Sequence, residues 1–97
     1  MAGEEDITSL RLKIEGHVQG VGYRAFAANE ARKLLLNGWV RNQFDGTVEI
    51  LVSGPTVQVE TFVGICMRGP QWSTVTNVEL HRAEPPKLTG FHIASTY

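Results

Sequence analysis

Hydrophobic and charged residues alternate near the start of the chain. In the stretch LRLKIEG, the aliphatic residues Leu10, Leu12 and Ile14 are separated by single charged residues. This period of two is typical of a strand with one buried face. We predict a first strand from Leu10 to Gly16, preceded by a flexible acidic segment over residues 1–7, with residues 8–97 forming one domain.

After a glycine-rich stretch, the apolar spacing becomes helical. The pattern, together with several alanines, predicts a helix over about residues 23–35. Its apolar face comprises Tyr23, Phe26, Ala27, Ala31 and Leu34. A second helix is predicted to begin at Gly54-Pro55, because proline suits a first helical turn, and to end at RGPQ. The apolar stripe of this second helix is Val59, Phe62 and Cys66.

The remaining apolar segments read as strands. NGWVRNQFDGTVEILVSG predicts a hairpin, since Asp45-Gly46 is a strong turn signal between two apolar runs. STVTNVELHRAE predicts a fourth strand, with Val78 and Leu80 as core candidates. FHIAS predicts a short fifth strand with Phe91 and Ile93 facing inward.

The order strand, helix, strand, strand, helix, strand predicts an α+β fold of the ferredoxin-like (βαββαβ) type. In this fold two helices cover one face of an antiparallel sheet, here extended by the short fifth strand. The first and second strands are joined through a helix, so they run parallel, and the third strand lies between them. Their carboxyl ends then meet at one edge of the sheet, about 10 Å apart, which is twice the usual strand spacing. One end leads to Arg24 and the other carries Asn42.

Composition narrows the range of functions. The chain has 97 residues and a formal net charge of −1, so no overall positive field attracts nucleic acid or an anionic membrane. One cysteine, Cys66, cannot form an internal disulfide, and it fits a buried inert thiol. The sequence shows no signal-peptide pattern and no apolar run of membrane-spanning length. We therefore expect a cytoplasmic protein, and nothing in the sequence demands more than a monomer.

The segment GHVQGVGYRAF contains the most unusual local pattern. Glycines precede the first helix, no side-chain oxygen is available to cap it, and Arg24 places a positive charge against the positive end of the helix dipole. Glycines let successive N–H groups converge on an anion, and a guanidinium matches phosphate oxygens. We interpret the segment as a phosphate site; an ordinary turn beside a solvated arginine is the alternative. It fits neither the P-loop motif nor the dinucleotide-binding fingerprint.

Two motifs resemble those of the acylphosphatase family. GHVQGVGYR resembles its first signature, and GWVRN followed by DGTVEILVSG resembles its second. The resemblance runs from about Leu10 to the C-terminus and implies a small metal-free enzyme without a cofactor that hydrolyses the carboxyl–phosphate bond of small-molecule acyl phosphates. It implies that Asn42 positions the attacking water. The phosphate-binding residues that it implies are His17, Val18, Gln19, Gly20, Val21, Gly22 and Arg24.

The chain departs from the family pattern after the first helix. The family commonly has Leu-Gly-Leu where this chain has Leu34-Leu35-Leu36. A glycine there suits a left-handed helix end. Leu35 would adopt that conformation at a cost of about 1–2 kcal/mol, unless the helix closes differently.

Other candidate sites carry weaker signals. His17 is a poor candidate for a general base, and His81 and His92 lack neighbours at metal-ligand spacing. Gln19 and Arg41 are expected to be exposed. RNA binding is disfavoured because the strand from Leu10 and the strand from Thr47 to Ser53 lack aromatic residues. A non-catalytic module that binds phosphate or acyl phosphate is the main alternative to an enzyme.

Overall fold

The computed structural model describes residues 6–97. The elements follow one another in the predicted order, with helices α1 and α2 and strands β1 to β5. Their bounds are β1 Ile7–His17, α1 Tyr23–Lys33, β2 Asn37–Asn42, β3 Val48–Pro55, α2 Thr56–Arg68, β4 Thr74–Arg82 and β5 Phe91–Ile93. No helix within residues 6–97 is both long and apolar enough to cross a membrane.

The strands form one sheet in the order β4-β1-β3-β2-β5. Strand β3 pairs antiparallel with both β1 and β2, so β1 and β2 run parallel on either side of it. Strand β5 pairs parallel with β2 at the edge of an otherwise antiparallel sheet. The predicted α+β ferredoxin-like arrangement is confirmed, and the carboxyl ends of β1 and β2 lie at the same sheet edge.

The two helices and the sheet enclose one hydrophobic core. Its fully buried members include Leu12, Ile14, Ile50 and Val52 from the sheet, with Ala27, Ala28 and Ala31 from α1 and Val59, Phe62 and Cys66 from α2. Tyr23 is also buried, and its hydroxyl donates a 2.7 Å hydrogen bond to the carbonyl of Cys66, linking the start of α1 to α2. Burying each large apolar side chain stabilises the fold by about 1.5–3 kcal/mol.

Strand β1 is longer than predicted at both ends. It begins at Ile7, which pairs with Pro55, and the carbonyl of Asp6 accepts a hydrogen bond from the N–H of Thr56. Five residues of the predicted flexible segment 1–7 lie outside the described residues. At the other end a bulge at Glu15 and Gly16 lets the strand continue to His17. The pattern could not predict these extensions because β4 and the end of β3 provide the pairing partners.

Helix α1 ends at Lys33, two residues before the predicted end. Leu35 has a φ of 58°, so the left-handed conformation considered from the sequence is confirmed. The N–H of Leu36 donates to the carbonyl of Ala31 over 3.0 Å, and the N–H of Leu35 donates to that of Arg32 over 3.1 Å. These two bonds are those of a Schellman motif, which glycine usually completes.

Two further predictions differ from the structure. Helix α2 starts at Thr56, since Gly54 and Pro55 still belong to β3. The prediction that Leu80 belongs to the core is wrong. Leu80 pairs opposite buried Leu12, yet it is 45% exposed because β4 is the outer strand of the sheet.

Candidate active site

The segment between β1 and α1, residues 18–22, is termed here the glycine loop. Gly20 and Gly22 have φ values of 75° and 81°, which are unfavourable for residues with a Cβ. A Cβ built on either glycine would meet no atom within 4 Å. The two glycines are therefore required by the backbone path and not by close packing.

The amino end of α1 has an unusual set of unsatisfied groups. Its N-cap is Gly22, which offers no side chain, and the first turn contains no acidic residue. Among the hydrogen bonds of residues 6–97, none is donated by the backbone N–H groups of residues 18–25. Such N–H groups, with the positive end of the helix dipole, favour an anion.

Arg24 adds a full positive charge at this helix end. It is half-buried and forms neither a hydrogen bond nor an ion pair with any residue from 6 to 97. Three other arginines of residues 6–97, Arg11, Arg32 and Arg41, are engaged by acceptors of the protein. Arg32 donates from Nε and Nη2 to the carbonyl of Phe91, at 3.1 and 2.9 Å, and Arg41 pairs with Glu49. Arg24 is thus available to pair with an anion.

A cavity of about 270 Å³ joins the glycine loop to the end of β2. Five residues predicted for the site line it, and they come from the glycine loop, α1 and β2. These are Val18, Gly20, Gly22, Arg24 and Asn42. Asn42 is the last residue of β2 and its side chain is half-buried. The topology thus brings a guanidinium, a carboxamide and a glycine-rich backbone around one space.

The other three predicted residues do not line this cavity. His17 is exposed at the end of β1, where it pairs with Thr74. Val21 is partly buried and packs against the core. Gln19 is half-buried, so the expectation that it is exposed is wrong. Its Nε2 donates 2.8 Å hydrogen bonds to the carbonyls of Gln43 and Thr47.

The prediction that Arg41 is exposed is also wrong. Its Nη2 lies 2.6 Å from Oε1 of Glu49, and its guanidinium carbon lies 4.5 Å from the ring centroid of Trp39 and 4.0 Å from that of Tyr97. These partners come from β2, β3 and the C-terminal segment. The isolated sequence gave no sign that they meet.

Three residues line the cavity that the sequence did not assign to the site: Ile93, Ala25 and Tyr23. Ile93 was predicted to face the core, but it is 47% exposed. The alternation with buried Phe91 indicated the correct side of β5. The error arises because β5 is an edge strand, and its end borders the cavity instead of the packed helices.

The buried titratable groups near this site stay protonated at neutral pH. Burial raises the pKa of the Cys66 thiol to about 12, and burial also raises the pKa of the Tyr23 hydroxyl well above its usual value. Cys66 is also fully buried in the core and does not line the cavity, which argues against a thiol nucleophile at this residue, as the sequence suggested. Within residues 6–97 no three His, Cys, Asp or Glu residues cluster as a metal site.

Comparison with known proteins decides between an enzyme and a non-catalytic binding module, the two functions that the sequence left open. The acylphosphatase family model matches residues 10–93. The chain belongs to the acylphosphatase family. It is 46% identical to the acylphosphatase of Moorella thermoacetica over 83 residues, which is 86% of this chain and 89% of that protein. It is 48% identical to the acylphosphatase of Thermococcus kodakarensis, over 84% of this chain and 90% of that protein.

A solved structure gives the same result. The acylphosphatase of Bacillus subtilis superposes with a TM-score of 0.85 at 37% identity, covering 92% of this chain and 99% of that one. These similarities support an enzyme with acylphosphatase activity over the non-catalytic alternative. The ferredoxin-like fold alone would not distinguish an enzyme from a non-catalytic module, because one fold hosts many functions.

Proposed function

We propose that the glycine loop, with His17 before it, and Arg24 hold the phosphoryl group of an acyl phosphate, while Asn42 positions the attacking water. The observation that carries this proposal is the shared cavity. Arg24, which has no partner among residues 6–97, and Asn42, which ends a separate strand, both line it. The loop N–H groups that donate no hydrogen bond within residues 6–97 supply further donors at the same place.

The reaction requires little proton chemistry from the protein. Water attacks phosphorus, the bond between phosphorus and the carboxyl oxygen breaks, and a carboxylate and inorganic phosphate are released. The leaving carboxylate has a conjugate acid with a pKa near 4, as in Asp and Glu, so it departs without a general acid. Phosphoryl transfer passes through a loose transition state, in which positioning and charge stabilisation dominate.

Each proposed residue matches one of these needs. The Arg24 guanidinium offers a planar fork of N–H donors to the equatorial phosphoryl oxygens. The Asn42 carboxamide is neutral and cannot serve as a base, but it can donate and accept hydrogen bonds and so orient a water in line. We propose that the proton of this water passes to a phosphate oxygen of the substrate.

Ile93 gives the cavity an apolar wall. It borders the same space as Arg24 and Asn42. We propose that this side chain contacts the acyl part of the substrate, since the cationic side of the cavity suits the phosphoryl part.

The buried lone Cys66 is consistent with a reducing cytoplasmic location, and a monomeric state remains our prediction.

Hydrolysis of benzoyl phosphate, with inorganic phosphate as competitive inhibitor, tests the assigned roles. We expect Arg24→Ala to lower kcat/KM about 1,000-fold and to weaken phosphate inhibition, because the main charge on the transition state is removed. We expect Asn42→Ala to lower kcat roughly 100-fold while leaving phosphate inhibition nearly unchanged. Matched controls are Arg68→Ala on α2 and Asn29→Ala on α1, both exposed. Parent-like activity in Arg24→Ala and Asn42→Ala would overturn the proposal.

A further inference from the structure

The side chain of Gln19 connects the two halves of the proposed site. Its Nε2 donates one hydrogen bond to the carbonyl of Gln43 and another to that of Thr47, each 2.8 Å long. A carboxamide nitrogen carries two hydrogens, so both are used. These residues are 24 and 28 positions away in the chain, and Gln43 directly follows Asn42.

The two acceptor carbonyls belong to the closed base of the β2–β3 turn. The N–H of Gln43 donates to the carbonyl of Thr47 over 2.9 Å, and the N–H of Gly46 donates to that of Gln43 over 3.1 Å. The Thr47 hydroxyl also donates to Oε1 of Gln43 over 2.8 Å. Gln19 therefore binds a rigid unit that is continuous with the end of β2.

Gln19 forms the hydrogen bonds that fix the middle of the glycine loop. Among the hydrogen bonds of residues 6–97, those of Gln19 are the only ones that join residues 18–21 to another element. Val18 and Val21 pack against the core and set how deep the loop sits. Apolar packing is not directional, so it leaves the lateral position of the loop to these two bonds.

We infer that Gln19 is a positioning residue that fixes the distance between the glycine loop and Asn42. Its side chain does not line the cavity, so it acts on the reaction through the residues that do. This inference rests on the proposed function of Arg24 and Asn42. In-line attack is sensitive to placement, and a misplacement of about 1 Å can lower the rate about 100-fold.

The test uses Gln19→Met, which keeps the length and volume of the side chain and removes both donors. The two carbonyls keep their bonds from Gln43 and Gly46, so we expect the protein to fold. With benzoyl phosphate, kcat should fall about 10- to 100-fold, while inhibition by inorganic phosphate changes less than about threefold. Phe44→Ala removes an 85% exposed side chain of the same turn and leaves the acceptor carbonyls and the side-chain bond of Gln43 in place, so its kcat should stay near that of the parent.

A double-mutant cycle with Asn42→Ala separates positioning from a general structural effect. If Gln19 acts by aligning the loop with Asn42, adding Gln19→Met to Asn42→Ala should cost less than about threefold in kcat. Full multiplicative losses, or a phosphate affinity that falls as much as kcat, would overturn the inference. So would parent-like kcat in Gln19→Met.

The cycle also distinguishes this inference from the proposed function. An Asn42→Ala variant with the kcat of the parent would contradict the proposed role of Asn42 itself. An impaired Asn42→Ala together with a parent-like Gln19→Met would remove only the positioning role of Gln19. If Gln19→Met is unstable at the assay temperature, the same cycle is run at a lower temperature at which thermal unfolding shows the variant to be folded.

Discussion

The two ends of α1 both contain a residue in the left-handed conformation, yet they differ in every other respect. At the amino end, Gly22 is the cap, no acidic residue follows, and Arg24 has no partner among residues 6–97. At the carboxyl end, Leu35 is left-handed, the Schellman hydrogen bonds are formed, and Arg32 and Lys33 suit the negative end of the dipole.

We infer from this difference that a bound anion offsets the strain at the amino end and that no such role exists for the strain at the carboxyl end. The unsatisfied N–H groups and charge at the amino end border a cavity, so binding an anion would relieve them. At the carboxyl end the carbonyls of Glu30, Ala31 and Arg32 accept hydrogen bonds from the N–H groups of residues 34–36, and Leu35 is 86% exposed. Leu35 does not line the cavity, so an anion bound there would not offset its backbone strain. We therefore expect the first feature to be essential for activity and the second to be removable.

Among substitutions of the two left-handed residues, the larger expected effect is the loss of the glycine conformation at the amino end. Gly22→Ala places a Cβ on a residue with φ of 81°, although the space around it is open. The loop must shift or accept strain, and we expect kcat/KM to fall about 100-fold. Gly64→Ala is the matched control. Gly64 lies inside α2 with open space at its Cβ, so that variant should keep its activity and gain up to about 1 kcal/mol of stability. Equal activity of the two variants would contradict this expectation.

Phosphate should stabilise the protein through the amino end of α1 only. At a phosphate concentration of about 100 times Kd, binding to the folded state adds roughly 2.7 kcal/mol to the free energy of unfolding. Thermal unfolding with and without phosphate measures this gain as a rise in Tm. We expect Arg24→Ala to lose most of the rise and Leu35→Gly to retain it. An undiminished rise in Arg24→Ala would show that phosphate binds elsewhere.

The smallest expected effect lies at the carboxyl end. Leu35→Gly should increase the free energy of unfolding by about 0.5–1 kcal/mol, because relief of the left-handed strain exceeds the added flexibility of the unfolded chain. For a domain of this size, 1 kcal/mol raises Tm by about 4–8 °C. Benzoyl phosphate hydrolysis should be unchanged.

Leu34→Gly is the neighbouring control for this end of the helix. Leu34 has a φ of −90°, where glycine brings no relief of strain. We expect it to lower stability through the greater freedom of its unfolded chain and the loss of a side chain that packs against the core. A destabilised Leu35→Gly would show that the strain at residue 35 is offset by contacts of its side chain.

Local patterns predicted most of the fold, and the errors lie at its edges. Alternation identified the buried face of β1, and helical spacing identified the buried residues of α2. Leu80 and Ile93 were assigned to the core because the alternation of residues along a strand indicates the face of the sheet on which each side chain lies. It does not show whether a helix covers that part of the sheet.

The sequence by itself determined the order of elements, the glycine loop, the position of Arg24 at a helix start and that of Asn42 at a strand end. Those features depend on spacing along the chain and on the conformational limits of single residues. Only the tertiary structure decided that Gln19 holds the β2–β3 turn, that Arg41 is engaged by Glu49 and that Ile93 borders the cavity. Each of these contacts joins separate elements, and it exists only once the sheet has set their distance and direction.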